Sequence, residues 1–157
     1  MHTHLHVDHV GWDGAFPNAR YLVHEEDWAF FMSEPSLAER PHLREKLRPL
    51  DNVELVSGAE HELVPGVELF TTPGHTPGHM SVRIGSLVVL GDVVVHQLQV
   101  EDPDVVYVSD HDHALAAATR RRVLGDLADD GARVIAGHFH GVGLFERDGK
   151  GFRWAVE

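Results

Sequence analysis

Four side chains that can bind a metal lie within six residues near the start of the chain, in the segment His4-Leu5-His6-Val7-Asp8-His9. Alternate side chains of an extended segment point to the same side, so the imidazoles of His4 and His6 can reach one metal. A tight bend after His6 would carry Asp8 and His9 towards a second metal. The spacing therefore predicts a site for two metals, and metal-dependent hydrolysis is the chemistry that such a site performs.

Three further candidate ligands follow in order along the chain. They are His75 in Gly74-His75-Thr76-Pro77-Gly78-His79, Asp92 in Leu90-Gly91-Asp92, and His138 in Ala136-Gly137-His138. Each follows an apolar run that predicts a buried strand. Functional side chains collect in the loops at strand ends, so we expect these three to complete the site.

The four blocks of residues resemble the metallo-β-lactamase superfamily of hydrolases. Its members carry His-x-His-x-Asp-His, then Gly-His-Thr-Pro-Gly, then an isolated Asp and a late Gly-His, and all four blocks occur here in that order. The resemblance runs from residue 2 to residue 157. Three stretches resemble the bacterial branch that includes quorum-quenching lactonases, namely 3–12, 16–21 and 149–154.

The resemblance implies seven metal ligands, divided between two sites. The first site takes three imidazoles, those of His4, His6 and His75. The second site takes Asp8, His9 and His138, and the Asp92 carboxylate bridges the two metals. All seven are nitrogen or oxygen donors, which suit zinc and also iron, manganese or cobalt. We expect two divalent ions as the cofactor, with zinc as the default.

Two such cations, roughly 3.5 to 4 Å apart, ionise a bound water near neutral pH. The resulting hydroxide attacks an ester, lactone or amide carbonyl while a metal polarises the carbonyl oxygen, so no serine or cysteine nucleophile is needed. We assign Asp8 the catalytic role of orienting the hydroxide and passing a proton to the leaving group.

The chain has 14 histidines, and nine of them lie outside the ligand set. His79 and His140 are expected to be either pocket residues beside the ligands or polar loop side chains. His96 lies four residues after Asp92 and faces either the pocket or solvent. We expect the other six to be solvated, namely His2, His24, His42, His61, His111 and His113.

Composition fits a single domain over residues 1–157, because 43% of the residues are hydrophobic and no stretch is apolar enough to cross a membrane. The net charge of -12 disfavours a nucleic-acid partner, and a small molecule is the expected substrate. Two basic runs, Arg40 to Arg48 and Arg120 to Arg122, are interpreted as solvated helix faces.

The absence of cysteine fits a reducing cytoplasm. It also excludes the subclasses of the superfamily that place a cysteine on the second metal. No signal peptide is expected, because the first residues already belong to the predicted site.

The hydrophobic pattern predicts a mixed α/β chain. Helical segments are expected at 25–32, at 35–48 with an interruption at Pro41, and at 112–130. Strands are expected at 53–56, 67–70, 80–84, 87–90, 134–136 and 151–156. The resemblance implies an αβ/βα sandwich of two sheets with helices outside. Trp28, Phe30, Phe31 and Met32 are expected to pack in its core rather than line a pocket mouth.

In the family, the first sheet precedes the His-x-His-x-Asp-His motif, whereas Met1 lies three residues before His4. We therefore expect the sandwich to lack the N-terminal strands of its first sheet and the natural protein to be longer. The alternative is a minimal form that covers its bare edges in another way, for instance as a homodimer.

The favoured function is hydrolysis of lactones, esters or related small molecules. Lactonases of this type often carry a tyrosine three residues after the bridging aspartate, where this chain has Val95, which argues against acyl-homoserine lactones specifically. Flavodiiron redox chemistry is disfavoured, because a carboxylate would be expected in place of His6. Two alternatives of a different class remain: a catalytically inactive metal-binding remnant, and a metal-storage module that binds more than two ions.

Overall fold

A computed structural model describes residues 1–157. The strands are β1 (Tyr21–His24), β2 (Val53–Val56), β3 (Glu60–Val64), β4 (Val67–Thr71), β5 (Met80–Ile84), β6 (Leu87–Gly91), β7 (Arg133–Ala136), β8 (Gly143–Asp148) and β9 (Gly151–Val156). The helices are α1 (Glu25–Phe31), α2 (Glu34–Glu39), α3 (Pro41–Lys46), α4 (Gln97–Glu101) and α5 (His113–Asp130).

The predicted mixed α/β class is confirmed, and every predicted strand and helical region is present within two residues of its expected ends. Pro41 separates two helices because it occupies the first position of α3, where a missing N–H costs nothing. Three strands and one helix were not predicted, namely β1, β3, β8 and α4. Strand β3 lies at the edge of its sheet and is mostly exposed, so its sequence lacks the apolar pattern of a buried strand.

Seven strands form one sheet in the order β3-β4-β5-β6-β7-β8-β9, and β1 and β2 form a separate parallel pair. Strands β4 and β6 both pair antiparallel with β5, and β7 pairs parallel with β6. Strands β4, β6 and β7 therefore run in the same direction, and their carboxyl ends meet at one edge of the large sheet.

Helices cover the outer faces of both sheets. Helices α4 and α5 pack on the large sheet through a cluster that includes Val88, Leu124 and Val134. Between the sheets, Leu22 and Val56 of the small sheet belong to one cluster with Leu69, Met80 and Val82 of the large one. Helices α1 to α3 pack on the outer side of the small sheet. Their cluster is formed by Leu5, Val10, Val23, Phe31, Leu37, Leu43 and Leu47, with Trp28, Phe30 and Met32 against it, as expected for core aromatics.

Helix α5 is the longest of the helices and is capped at both ends. The Asp112 carboxylate accepts a hydrogen bond from the Leu115 N–H, and Gly131 ends the helix in the left-handed conformation with a φ of 61°. Neither α5 nor any other helix combines the length and the apolar character that crossing a bilayer requires.

Candidate metal centre

The segment before β1 forms backbone hydrogen bonds with one strand of each sheet. The His2 N–H donates to the Leu22 carbonyl (2.9 Å), and the Met80 N–H donates to the Thr3 carbonyl (2.8 Å). The next residue, His4, is therefore buried. The predicted bend follows, because the His9 N–H donates to the His6 carbonyl at 3.0 Å.

Three strand ends supply the other candidate ligands. His75 lies in the loop after β4, Asp92 directly follows β6, and His138 lies two residues after β7. Because these strands run in the same direction, their loops lie at the edge of the sheet beside the 4–9 segment. The convergence expected from the sequence is thus produced by the strand order.

The candidate ligands form two clusters, and within each cluster the atoms that could bind a metal lie within 4.8 Å of one another. In the first, His75 Nε2 lies 3.0 Å from His6 Nδ1, and the His4 ring lies edge-on to both. The second contains Asp8, His9, Asp92 and His138.

The Asp92 carboxylate lies between the two clusters. Its Oδ2 is 2.9 Å from His138 Nε2, 3.6 Å from His75 Nε2 and 3.8 Å from His4 Nε2. Its Oδ1 is 3.4 Å from His9 Nε2. One carboxylate thus faces imidazoles of both clusters, and the seven side chains singled out in the sequence lie together.

Two buried polar atoms at this centre lack hydrogen-bond partners and could bind a cation. His4 Nε2 and Asp92 Oδ1 are buried and have no hydrogen-bond partner, whereas buried polar atoms in proteins are normally paired. Burial lowers the pKa of His4, and burial together with the His75 charge lowers that of His6 to about 4. Burial opposes ionisation of Asp92, but His9 outweighs it and holds the pKa of Asp92 at about 2. Neutral imidazoles and ionised carboxylate are the forms that bind divalent metals.

His79 is fully buried and uses both ring nitrogens within the protein. The Asp92 N–H donates to His79 Nε2 (3.0 Å), so the ring proton lies on Nδ1 and is donated to Thr72 Oγ1 (2.7 Å). The chain continues from Thr72 to Ser81 Oγ (3.0 Å) and from Ser81 to the Leu90 carbonyl (2.9 Å). His79 therefore fixes the backbone at Asp92 and has no nitrogen free for a metal.

The buried histidines make acid stability of the metal-free protein a direct test of this packing. Burial lowers the pKa of His79 to about 3, and that of His6 is about 4. Between these values and the ordinary value near 6.5, the unfolded chain binds more protons than the folded one, so stability is present above pH 6.5 and is lost as the pH falls. We expect the free energy of unfolding, from urea titrations, to drop by about 1.4 kcal/mol per pH unit for each such histidine between pH 6 and 4. His79→Gln should flatten this slope, whereas the exposed His61→Gln should not.

The orientation of His75 is fixed by a buried ion pair between Asp110 and Arg120. His75 Nδ1 lies 2.9 Å from Asp110 Oδ1, so the ring donates to this carboxylate and its Nε2 keeps the lone pair. The other oxygen of Asp110 accepts from Arg120 Nη2 at 2.7 Å. Arg120 is 1% exposed, and it also donates to the carbonyls of Val93, Pro103 and Val105.

A second carboxylate orders the loop that carries His75. Asp27 of α1 is buried and accepts from the Thr76 hydroxyl (3.0 Å) and from the Gly78 N–H (2.7 Å). Burial raises the pKa of Asp27 to about 6. Helix α1 is thereby joined to the loop between β4 and β5.

Several expectations for residues outside the ligand set were wrong. His2 and His24 are buried rather than solvated, because His2 pairs with Asp13 at 3.0 Å and His24 caps α1 by accepting from the Glu26 N–H. Arg120 is buried, unlike its neighbours in the basic run. His42 is half-buried, and His61, His111 and His113 are exposed as expected.

His96 and His140 are both exposed and line cavities beside His138. His96 also caps α4, because its Nδ1 accepts from the Leu98 N–H. Neither belongs to a ligand cluster.

Two adjoining cavities surround the centre. Five of the seven candidate ligands, His6, Asp8, His75, Asp92 and His138, line a cavity of about 370 Å³. Tyr107 and His138 also line a second cavity of about 410 Å³. The second cavity has an apolar wall, formed by Val95, Leu98, Val105 and Val106. A larger cavity of about 570 Å³ lies between β3, β4 and α5, away from both clusters.

Comparison with known protein families shows to which family the chain belongs. The sequence model described as the metallo-beta-lactamase superfamily matches residues 1–138. The chain belongs to the metallo-β-lactamase superfamily. Its relatives within this superfamily include N-acyl homoserine lactonases. That of Bacillus thuringiensis is 31% identical over 141 residues, 87% of this chain and 53% of the relative. AttM of Agrobacterium fabrum is 32% identical over 90 residues, 54% of this chain and 34% of the relative.

Solved structures of this metallo-β-lactamase superfamily match as well. AidC, a dizinc quorum-quenching lactonase in complex with a product, matches with a TM-score of 0.86 and 25% identity, over 99% of this chain and 62% of AidC. An N-acyl homoserine lactone hydrolase with N-hexanoyl-L-homoserine at its catalytic metal centre matches with a TM-score of 0.71 and 30% identity, over 87% of this chain and 53% of that one. The chain thus spans about half the length of the Bacillus relatives and about three fifths of AidC.

Several residues that shape this metallo-β-lactamase centre were not found from the sequence. Asp110 and Arg120 act through His75, and Tyr107 stacks on the His75 ring at a centroid distance of 5.9 Å. The run from Arg120 to Arg122 gives no indication of this, because three consecutive residues of a helix can all reach solvent.

The Gly137 position offers a test of how closely the backbone surrounds Asp92. A Cβ at residue 137 would lie 2.4 Å from Asp92 Oδ1. Gly137→Ala must therefore displace this carboxylate, and we expect metal affinity to fall by about 10- to 100-fold in a zinc titration against a chelator. Gly11→Ala is the control, because a Cβ there meets nothing within 4 Å. Unchanged affinity in Gly137→Ala would contradict this position for Asp92.

Proposed function

We propose that this chain is a metal-dependent hydrolase that opens lactones or cleaves esters of small molecules at a dinuclear centre. The observation that carries the proposal is the position of Asp92 between two clusters of nitrogen and oxygen donors. Its relationship to N-acyl homoserine lactonases and to a dizinc lactonase supports the same chemistry.

Under this proposal, His4, His6 and His75 hold one cation. Asp8, His9 and His138 hold the other, and Asp92 is shared by both. Two divalent cations bound there would supply Lewis acidity and an ionised water near neutral pH. Zinc is the expected metal, and the same donors accept iron, manganese or cobalt.

Asp8 is the residue that we assign to proton transfer. Its Oδ2 lies 3.5 Å from His9 Nε2 and 3.6 Å from His138 Nε2, and half of its side chain is exposed to the cavity and solvent. A carboxylate in this position can orient an attacking water through one oxygen. As that water adds to the carbonyl carbon, the carboxylate can take the proton the water releases and then deliver it to the leaving oxygen as the ester bond breaks.

The substrate is proposed to be a small lactone or ester with an apolar portion. The 370 Å³ cavity holds the reacting group beside the ligands, and the adjoining apolar cavity accepts an alkyl or aryl group against Leu98, Val105 and Val106. N-Acyl homoserine lactones belong to this class. Val95 supplies no hydroxyl to such a substrate, so we propose other lactones and esters as equally suitable substrates.

Turnover by zinc-loaded protein tests the proposal. We expect hydrolysis of N-hexanoyl homoserine lactone or of p-nitrophenyl esters, abolished by chelation and restored by zinc. Asp8→Asn, supplied with enough zinc to fill both sites, should lose kcat by about 100-fold or more. Asp126→Asn, an exposed aspartate on α5, is the matched control.

Two outcomes would overturn the proposal, and a third would change only the role of Asp8. Two bound metals without turnover of any ester or lactone would indicate a catalytically inactive metal-binding protein. More than two metals per chain, with no dependence on Asp8 or Asp92, would indicate metal storage. Full turnover by Asp8→Asn with both metals in place would remove Asp8 from the mechanism.

A further inference from the structure

We propose that Arg40 and His42 form an anion-binding wall in the metal cavity, so that the preferred substrate carries a carboxylate or a similar anionic group on the side away from its apolar portion. This inference rests on the proposed function and specifies the substrate class of the same site. Both residues line the 370 Å³ cavity together with the candidate ligands.

The Arg40 guanidinium is held in place while part of it stays available. It lies over the rings of Phe30 and Phe31, at 5.9 and 5.4 Å from their centroids. Its Nη1 donates to Ser36 Oγ at 3.0 Å and contacts the exposed Glu39 carboxylate at 3.4 Å. Its Nε and Nη2 make no hydrogen bond within the protein, so a ligand in the cavity can accept from them.

His42 provides a second group without a partner. Its ring nitrogen Nε2 is buried and makes no hydrogen bond. A buried polar atom that stays unpaired costs free energy, and when Nε2 carries the ring proton a carboxylate oxygen in the cavity would provide the missing acceptor. Arg40 and His42 both line the same cavity, so one anionic group bound there can approach both side chains.

The charges around the cavity favour an anion despite the net charge of -12 of the chain. The only carboxylates that line the cavity are Asp8 and Asp92, and both belong to the second ligand cluster. Two dications would more than neutralise these two carboxylates. Arg40 then keeps one carboxylate neighbour, the exposed Glu39 outside the cavity lining, which contacts only its Nη1 at 3.4 Å.

The apolar cavity adjoins the metal cavity and would accept the apolar end of the substrate. It meets the metal cavity at Tyr107 and His138 and presents Val95, Leu98 and Val106. A substrate that fills both cavities has its scissile carbonyl at the ligands, an apolar group at one end and an anionic group at the other. N-Acyl homoserine lactones lack the anionic group, so this inference predicts a different preference from theirs.

Matched ester substrates test the inference on the zinc-loaded chain. We would compare mono-p-nitrophenyl glutarate with its methyl ester, and do the same with the succinate and adipate homologues to vary the reach. We expect kcat/KM for at least one free acid to exceed that of its methyl ester by about tenfold, the effect of one charge-assisted hydrogen bond. Arg40→Met should lower kcat/KM for the free acid more than for its methyl ester, so that the ratio of the two falls to about one.

Arg44→Met is the control variant. Arg44 lies on the same helix and pairs with Glu34 at 2.8 Å, and it does not line the cavity. The two variants change the net charge equally, so only a local effect separates them. His42→Phe keeps a ring of similar size and should weaken the preference for the free acid.

The outcomes separate this inference from the proposed function. Equal kcat/KM for acid and methyl ester, or equal effects of Arg40→Met and Arg44→Met, would overturn the anion-binding wall while leaving the hydrolase intact. If no ester is hydrolysed, glutarate binding to the zinc-loaded variants by calorimetry decides the inference. Weaker binding in Arg40→Met than in Arg44→Met would support it, and equal binding would overturn it.

Discussion

Asp92→Asn is expected to bind one metal or fewer per chain and to lose kcat/KM by at least about 100-fold. The Asp92 carboxylate is within 4 Å of imidazoles from both clusters, so its replacement affects both sites at once. Asparagine keeps the shape and removes the negative charge that offsets two closely spaced cations. Loss of residues that only support a ligand already costs 10- to 100-fold, and a shared ligand must cost at least as much.

Metal content by elemental analysis and zinc affinity by titration measure this effect independently of turnover. Asp126→Asn is the control, because Asp126 is exposed on α5, lies outside both ligand clusters and forms an ion pair with Arg122 at 3.9 Å. Circular dichroism should show that both variants keep the fold. Two tightly bound metals in Asp92→Asn would show that the carboxylate is not shared.

Arg120→Leu is expected to destabilise the protein by about 3 to 5 kcal/mol, the usual cost of leaving one partner of a buried ion pair unpaired. Both Arg120 and Asp110 are almost fully buried. The substitution would leave the Asp110 carboxylate without its charged partner. It would also remove the donors to three carbonyls, those of Val93, Pro103 and Val105. Because Asp110 orients His75, zinc affinity should fall as well.

The midpoint of urea unfolding of the metal-free protein measures the stability change. Arg120→Lys should recover only part of it, because one ammonium cannot reach Asp110 and the three carbonyls together. Arg20→Leu removes an exposed arginine paired with Glu54 at 2.8 Å and should leave the midpoint unchanged. Equal midpoints for Arg120→Leu and Arg20→Leu would contradict the structural role of the buried pair.

The clustering of the seven candidate ligands could be predicted because each lies in a short, recognisable sequence pattern. His4, His6, Asp8 and His9 are close in sequence, and a turn is enough to bring them together. His75, Asp92 and His138 each follow an apolar strand with a glycine just before the ligand. Resemblance to the superfamily then divided them between two metals, a division that spacing by itself leaves open.

The supporting residues could not be predicted, because burial of a charged group depends on partners far away in the sequence. Arg120 lies in a basic run typical of a solvated face, but α5 turns it towards Asp110 while Arg121 and Arg122 remain exposed. His2 is buried for the same reason, since Asp13 pairs with it. Tertiary contacts of this kind leave no periodic signal.

The most direct test of the account is the number and position of metals in a crystal of the zinc-loaded chain, located by anomalous scattering. We expect two peaks roughly 3.5 to 4 Å apart, with Asp92 contacting both. One peak should lie beside His4, His6 and His75, and the other beside Asp8, His9 and His138. A single peak, or peaks at other histidines with Asp92 unbound, would contradict the dinuclear centre on which the proposed hydrolysis depends.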